Sequence, residues 1–416
     1  MTEKITLNNG MVAIAVANPT ADIMAARIFI SVGSGRETRK NAGITHLVSA
    51  VMTKGTDRLT SMDIAEKVES VGANLGTDAT PDYFLLSLKT VSADFPQMLH
   101  LAGELLRSPT FPETEIELER RITLQALRAS KEQPMSVAFD RLRHAIYGEH
   151  PYAFSGLGLP DSVAQLSREE LLEYHRTYFR PDNIVVSLTG CIPPDKAFSL
   201  VEEVFGDWQP PDTPLPETSL TRVESQPSHS SIAQETQQSV VMLGYLAPSV
   251  KLGGLSQQQP GDYASLKLLN THLGNGLSSR LFVELREKRG LAYDVSAFFP
   301  TRLDPSHFVV YIGTAPENTQ IALDGLRTEI DRLVNTLLTE EELQTAKNKM
   351  LGQYALGKQT NAQIAQLNGW YEMLGLGLAF DREFIHEISA IEAEQAQQAA
   401  QRYFSEPYIS VVGPEI

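Results

Sequence analysis

The sequence predicts an α+β protein of two homologous domains, each a mainly antiparallel sheet packed against helices. Its 416 residues exceed what one ordinary core holds. One segment recurs: Arg176-Thr177-Tyr178-Phe179-Arg180-Pro181-Asp182-Asn183, leading to Gly190, and Gln401-Arg402-Tyr403-Phe404-Ser405-Glu406-Pro407, leading to Gly413. Each copy reads as a helix end, a Pro-bearing turn and a β-branched strand closed by Gly. The repeat period, roughly 200 residues, is far longer than that of a solenoid. Third, strand and helix signals follow the same order in both halves. The expected domains are 1–208 and 239–416. The expected linker is 209–238, rich in Pro, Ser, Thr and Gln.

In the first half, the apolar runs Met11–Val16 and Ile23–Val32 flank Asn18-Pro19 and predict a β-hairpin. A helix bearing His46 follows. Thr60 with Asp63 forms a capping box before the stripe Ile64, Val68, Val71. Tyr83–Lys89 is a strand, and Pro112-Glu113 opens a helix whose acidic start favours the dipole. In the second half, Ser239–Leu246 is a strand. The helix from Asp262 carries Leu266, Leu269 and Leu273 on one face, and Gly274-Asn275-Gly276 reads as its left-handed C-cap. Ala292–Phe299 and His307–Gly313 are strands. Leu326, Ile330 and Leu333 line the next helix, and Thr339 with Glu342 makes a second capping box.

Composition bounds the function. An apolar fraction of 42% and a charged fraction of 21% belong to a folded protein. The formal charge of −16 argues against nucleic acid or an anionic membrane as the main partner. Cys191 is the only cysteine, so no internal disulfide and no Cys-based zinc site can form. The start, Met1-Thr2-Glu3-Lys4-Ile5, lacks the regions of a signal peptide, and no apolar run is long enough for a membrane span. A cytoplasmic protein is expected.

The stretch Gly43-Ile44-Thr45-His46-Leu47-Val48-Ser49-Ala50 carries the frame of H-x-x-E-H, which supplies two zinc ligands and a general base from one helical turn. Here the Glu is Ser49 and the second His is Ala50. Further markers are Lys54-Gly55-Thr56, Ser108-Pro109-Thr110-Phe111, His150-Pro151-Tyr152 and Tyr178-Phe179-Arg180-Pro181-Asp182-Asn183. The second half adds Leu273-Gly274-Asn275-Gly276-Leu277-Ser278-Ser279-Arg280-Leu281-Phe282 and Leu285-Arg286-Glu287-Lys288-Arg289-Gly290-Leu291-Ala292-Tyr293. In this order, nearly end to end, they resemble the pitrilysin/insulinase family of zinc peptidases, in its mitochondrial-processing-peptidase-like branch.

The resemblance implies two similar domains per chain and two chains closing around a peptide. It implies a third zinc ligand, a Glu, within Thr123-Leu124-Gln125-Ala126-Leu127. No acid occurs from Ile122 to Lys131, so Gln125 and Ala126 complete the degenerate motif of His46, Ser49 and Ala50. Catalytic zinc takes three protein ligands, and one His will not retain it. A serine hydroxyl cannot replace a carboxylate base worth about 10²–10⁴ in rate. His46 is therefore expected to be a packed or hydrogen-bonded histidine, with no metal and no cofactor bound by this chain.

By the same resemblance, Arg286 and Tyr293 match the Arg that holds substrate backbone and the Tyr that donates to the oxyanion. Val71–Thr80 resembles the edge strand along which a substrate lies. Arg280 is expected to brace its helix or loop, and Arg289 to be solvated. The expected function is a non-zinc subunit of a heterodimeric metallopeptidase, inactive alone. Its partner would be a homologous subunit with intact H-x-x-E-H, carrying the zinc, and its substrates peptides. The alternative is a structural or peptide-binding protein of the same fold. A homodimer in the partner's absence remains open.

Overall fold

The computed structural model describes residues 2–217, 220–252, 255 and 257–414. In chain order the strands are β1 (Thr2–Thr6), β2 (Val12–Ala17), β3 (Ile23–Ile30), β4 (Asn74–Ala79), β5 (Phe84–Val91), β6 (Ile184–Gly190), β7 (His229–Ala233), β8 (Ser239–Ala247), β9 (Asp294–Phe298), β10 (Ser306–Thr314) and β11 (Tyr408–Gly413). The first helices are α1 (Ile44–Val51), α2 (Ser61–Ser70), α3 (Phe95–Arg107), α4 (Glu113–Ser130), α5 (Pro134–Tyr147), α6 (Pro160–Gln165), α7 (Arg168–Tyr178) and α8 (Pro194–Phe205). They continue as α9 (Asp262–Gly274), α10 (Thr319–Asn335), α11 (Glu340–Leu356), α12 (Asn361–Met373), α13 (Phe380–Ala390) and α14 (Ala393–Tyr403). Both predicted capping boxes form, Thr60 with Asp63 and Thr339 with Glu342.

The first compact unit comprises Met1–Leu127, Ser155–Leu220 and Leu356–Leu378. Its sheet runs β1-β2-β6-β3-β5-β4. The predicted hairpin between Met11–Val16 and Ile23–Val32 does not form. β6 lies between the two strands, parallel to β2 and antiparallel to β3. The amide of Asn18, in the supposed turn, instead donates to Gly190 O at the end of β6 (2.7 Å). The hairpin is β1 with β2, turned at Asn9-Gly10 with Gly10 at φ +89°. That dipeptide is the strongest short-range hairpin signal, because both of its residue types tolerate a positive φ. Asn9 is pinned there by bonds from its amide to Phe205 O (2.7 Å) and Trp208 O (3.0 Å).

The sheet is covered on both faces, which explains why β3 is apolar on both sides apart from Arg27. Met24, Ala26, Ile28 and Ile30 point into the core built with α3 and α8. The opposite face of β3 receives α12, whose Gly369 lies so near that a Cβ would sit 2.4 Å from the Phe29 ring. Asn361, opening α12, donates to Ile23 O (2.8 Å).

The second unit comprises Arg128–Phe154, Thr221–Ala355 and Ala379–Ile416. Its sheet, β7-β11-β8-β10-β9, repeats the order β2-β6-β3-β5-β4 with the same strand directions. Val241, Leu243, Tyr245 and Ala247 of β8 enter the core with α9, α10 and α14. The other face of β8 meets α5, where a Cβ on Gly244 would lie 2.9 Å from Leu142. Tyr147, at the end of α5, bonds to His307 Nδ1 (2.9 Å) and donates to Pro305 O (3.0 Å).

The units therefore differ from the contiguous division 1–208 and 239–416. α5, within the first segment, builds the second unit, and α12, within the second segment, builds the first. β7 lies inside the stretch read as linker and pairs parallel with β11. The Gly274-Asn275-Gly276 cap also differs. Asn275 is extended (φ −96°), and only Gly276 has a positive φ of +79°. Gly274 is required by contact, since a Cβ there would lie 2.0 Å from Ala297 N of β9.

Candidate functional site

The His46 turn is held by groups outside its own helix. Gly43 starts α1 at φ +98°, a conformation that favours glycine. Glu37 accepts from the amides of Gly43 (2.7 Å) and Thr45 (2.9 Å), and Thr45 Oγ1 bonds to Tyr174 Oη (2.6 Å). Burial pushes the Glu37 carboxyl up to about 7, against the two amides and the Thr45 hydroxyl that favour its charge. α1 is thus fixed at its N-terminus by a buried carboxyl.

His46 is half-buried, and its Nε2 lies 3.1 Å from Thr123 Oγ1 of α4. Burial holds its imidazole below the ordinary value, opposed by Glu119 and Asp78. Glu119 pairs with Lys54 (3.6 Å). Ser49 is buried and its carbonyl accepts from Thr77 Oγ1 (2.7 Å), which ties α1 to the edge strand β4. Gln125 is exposed and Ala126 partly buried; on a helix Ala126, three residues on, shares the face of Thr123, and Gln125 does not. Thr123 was not singled out from the sequence, although it lies in the stretch expected to hold the third ligand. One imidazole (His46), two hydroxyls (Ser49 and Thr123) and two alanine methyls (Ala50 and Ala126) do not fit zinc's ligand requirement. Among the described residues no cluster of three or more His, Cys, Asp or Glu is placed to hold a metal ion.

A second group of predicted residues stands in the other unit. Phe282–Glu287 forms a π-helical turn, with Lys288 N bonded to Val283 O (3.0 Å). Such turns are uncommon and concentrate at functional sites. Gly290, at φ +63°, ends the turn, and Tyr293 N bonds to Gly313 O (2.9 Å) beside β9. Arg286 is exposed, its guanidinium 5.0 Å from the centre of the Phe282 ring. Glu284, a candidate ion partner for it, pairs with Lys288 instead (2.7 Å). Among the described residues no carboxylate pairs with Arg286. Tyr293 is 63% exposed, so it is not a packing residue of the sheet. Arg280 is buried and bonds Glu342, as a brace should. Arg289 is not simply solvated, since it lies 3.9 Å from buried Glu329.

Residues 12–158 match the insulinase family, peptidase family M16, and residues 165–350 match the peptidase M16 inactive domain. Together these matches span most of the chain. The chain belongs to the insulinase family of peptidases. It is 27% identical over its whole length to an uncharacterized zinc protease of Bacillus subtilis, covering 98% of that protein. An uncharacterized zinc protease of Streptomyces coelicolor is 26% identical over 99% of this chain and 89% of its own. Among solved structures, a peptidase M16 inactive domain from Pseudomonas fluorescens superposes with a TM-score of 0.89 at 24% identity, covering 100% of this chain and 98% of that one. A protease from Helicobacter pylori gives 0.91 at 21% identity, covering 99% and 98%. These two likenesses support the fold.

β4 lies at the end of its sheet and, among the described residues, pairs with β5 alone. His150 is buried, accepts from Tyr152 N (3.1 Å) and is pushed by burial to about 4, so it is a neutral packing residue. No helix among the described residues is long and apolar enough to cross a membrane.

Proposed function

We propose that this chain is the subunit without metal of a two-chain peptidase. The partner would be a homologous chain whose intact H-x-x-E-H supplies metal and base; this chain would supply Arg286 and Tyr293. The observation that carries the reading is the state of these two side chains: both exposed, Arg286 on a π-helical turn with no carboxylate among the described residues holding it, and Tyr293 just beyond that turn, immediately before β9. A scaffold has no need of such a pair. The designation of relatives as zinc proteases supports peptide hydrolysis as the class of reaction.

In this reading the Tyr293 hydroxyl donates to the oxyanion formed when a peptide carbonyl becomes tetrahedral. A donor aimed at developing charge in a site shielded from water is worth roughly 3–4 kcal/mol. The Arg286 guanidinium holds substrate carbonyl or carboxylate oxygens with its planar fork of donors. Phe282 beneath it restricts the swing of the side chain.

The test is reconstitution with a homologue from the same genome that carries H-x-x-E-H. The pair should co-elute as one species and hydrolyse peptides, while this chain alone shows no turnover. Peptide turnover by this chain alone, purified free of any homologue, would sink the proposal.

A further inference from the structure

The π-helical turn is bracketed by charge. Arg280 enters it, and Arg289 leaves it. Both lie at ion-pair distance from the same buried carboxylate, Glu329 of α10, beyond hydrogen-bond reach: Arg280 Nε is 4.0 Å from Glu329 Oε2, which has no hydrogen-bond partner among the described residues, and Arg289 Nη2 is 3.9 Å from Glu329 Oε1. Arg280 also donates to Glu342 Oε1. The other oxygen of Glu342 accepts from Thr339 N (2.9 Å), closing the capping box of α11. Glu342 is thus fixed by one oxygen and holds Arg280 with the other. The Glu329 and Arg280 side chains are 4% and 6% exposed, so neither charge is satisfied by water.

Two guanidinium groups face two carboxylates, which balances the cluster. Glu284 and Arg332 also act on Glu329, one charge of each sign, and His272, beside Arg280 and Glu342, is pushed by burial to about 4 and is neutral. A buried cluster with balanced charge resists displacement of any member, because moving one leaves another charge uncompensated. The same segment is fixed from beneath by Leu281 and Leu285, both fully buried in the core. A Cβ on Gly325 of α10 would lie 2.8 Å from Leu285.

We infer that Glu329 and Glu342 are positioning residues that clamp both ends of the turn 282–287 and so set where Arg286 and Tyr293 project. Neither carboxylate would touch substrate. They act through Arg280 and Arg289, which lie on either side of Arg286 in the chain. The importance of the clamp for catalysis rests on the two-chain reading above; its existence does not. The clamp also gives Arg280 and Arg289 distinct roles: Arg280 anchors the entrance at two carboxylates, and Arg289 the exit at one.

Amide hydrogen exchange on the isolated chain tests the clamp without a partner. Exchange should quicken about tenfold at Lys288, Gly290, Leu291 and Tyr293 in Glu329→Gln, while Val310 and Ile312 of β10 stay protected. Because Glu329 is buried, half-exposed Arg289 provides a second variant that leaves the core intact. Arg289→Gln should quicken the same four amides, and Arg289→Lys should restore most of the protection. Unchanged exchange in both Glu329→Gln and Arg289→Gln would overturn the inference. So would loosening of β10 in Glu329→Gln with no local effect in Arg289→Gln, because Glu329 would then be only a core residue. Failure of the clamp leaves the two-chain reading standing, since peptide turnover by the reconstituted pair is measured separately.

Discussion

His46 bonds to Thr123 where a metal ligand would need a carboxylate neighbour, and the placement of that bond has a consequence. Ala126 shares the face of Thr123, whereas Gln125 is exposed. Rebuilding the donor set should therefore depend on position. Ala50→His with Ala126→Glu should retain about one zinc per chain after dialysis, as three ligands allow; Ala50→His with Gln125→Glu should retain almost none. Equal zinc content by elemental analysis would contradict the placement. The loss of the motif was legible because H-x-x-E-H has fixed spacing. The role of Thr123 was not, because a threonine on a helix has no signature apart from what stands opposite it. Arg289 is the same kind of case: its partner, Glu329, lies on a helix that begins thirty residues later.

Glu37 links the sequence to the stability of an element, α1. Its carboxyl is protonated below 4.5 whether the chain is folded or not. Between 4.5 and about 7 only the folded state keeps the proton, so folding loses stability as pH rises through that window. Relative to Glu37→Gln, the wild type should lose on the order of 3 kcal/mol from pH 4.5 to pH 7 and little above. Urea unfolding of both proteins across that range would reveal it; a constant difference would show that Glu37 does not titrate on folding. At the junction of α9 and β9, Gly274→Ala should cost about 1–3 kcal/mol or more, because the added methyl meets Ala297 N, which is backbone. A Tm unchanged from wild type would mean that the helix moves away freely. Helix starts were the most legible elements, since Thr60-x-x-Asp63 and Thr339-x-x-Glu342 fix them locally. Strand pairing was less so. β6, which separates β2 from β3, comes from more than 150 residues downstream, and nothing in the Asn18-Pro19 link announces it.

The duplication was legible at the scale of the whole chain from the repeated Tyr-Phe and strand segments, and it appears as one strand order in both sheets. The exchange of α5 and α12 was not. Amphipathic helices carry no mark of which sheet they cover, and the apolar runs of β3 and β8 say only that some element must cover the second face. The functional reading depends on a partner, so its decisive test is made on a pair. In the reconstituted two-chain peptidase, Tyr293→Phe should lower kcat about 10²–10³-fold with KM nearly unchanged, as loss of an oxyanion donor predicts. Arg286→Ala should raise KM as well as lower kcat. Both variants should keep the wild-type Tm, because both side chains are exposed. Wild-type kcat and KM in the doubly substituted pair would contradict the account.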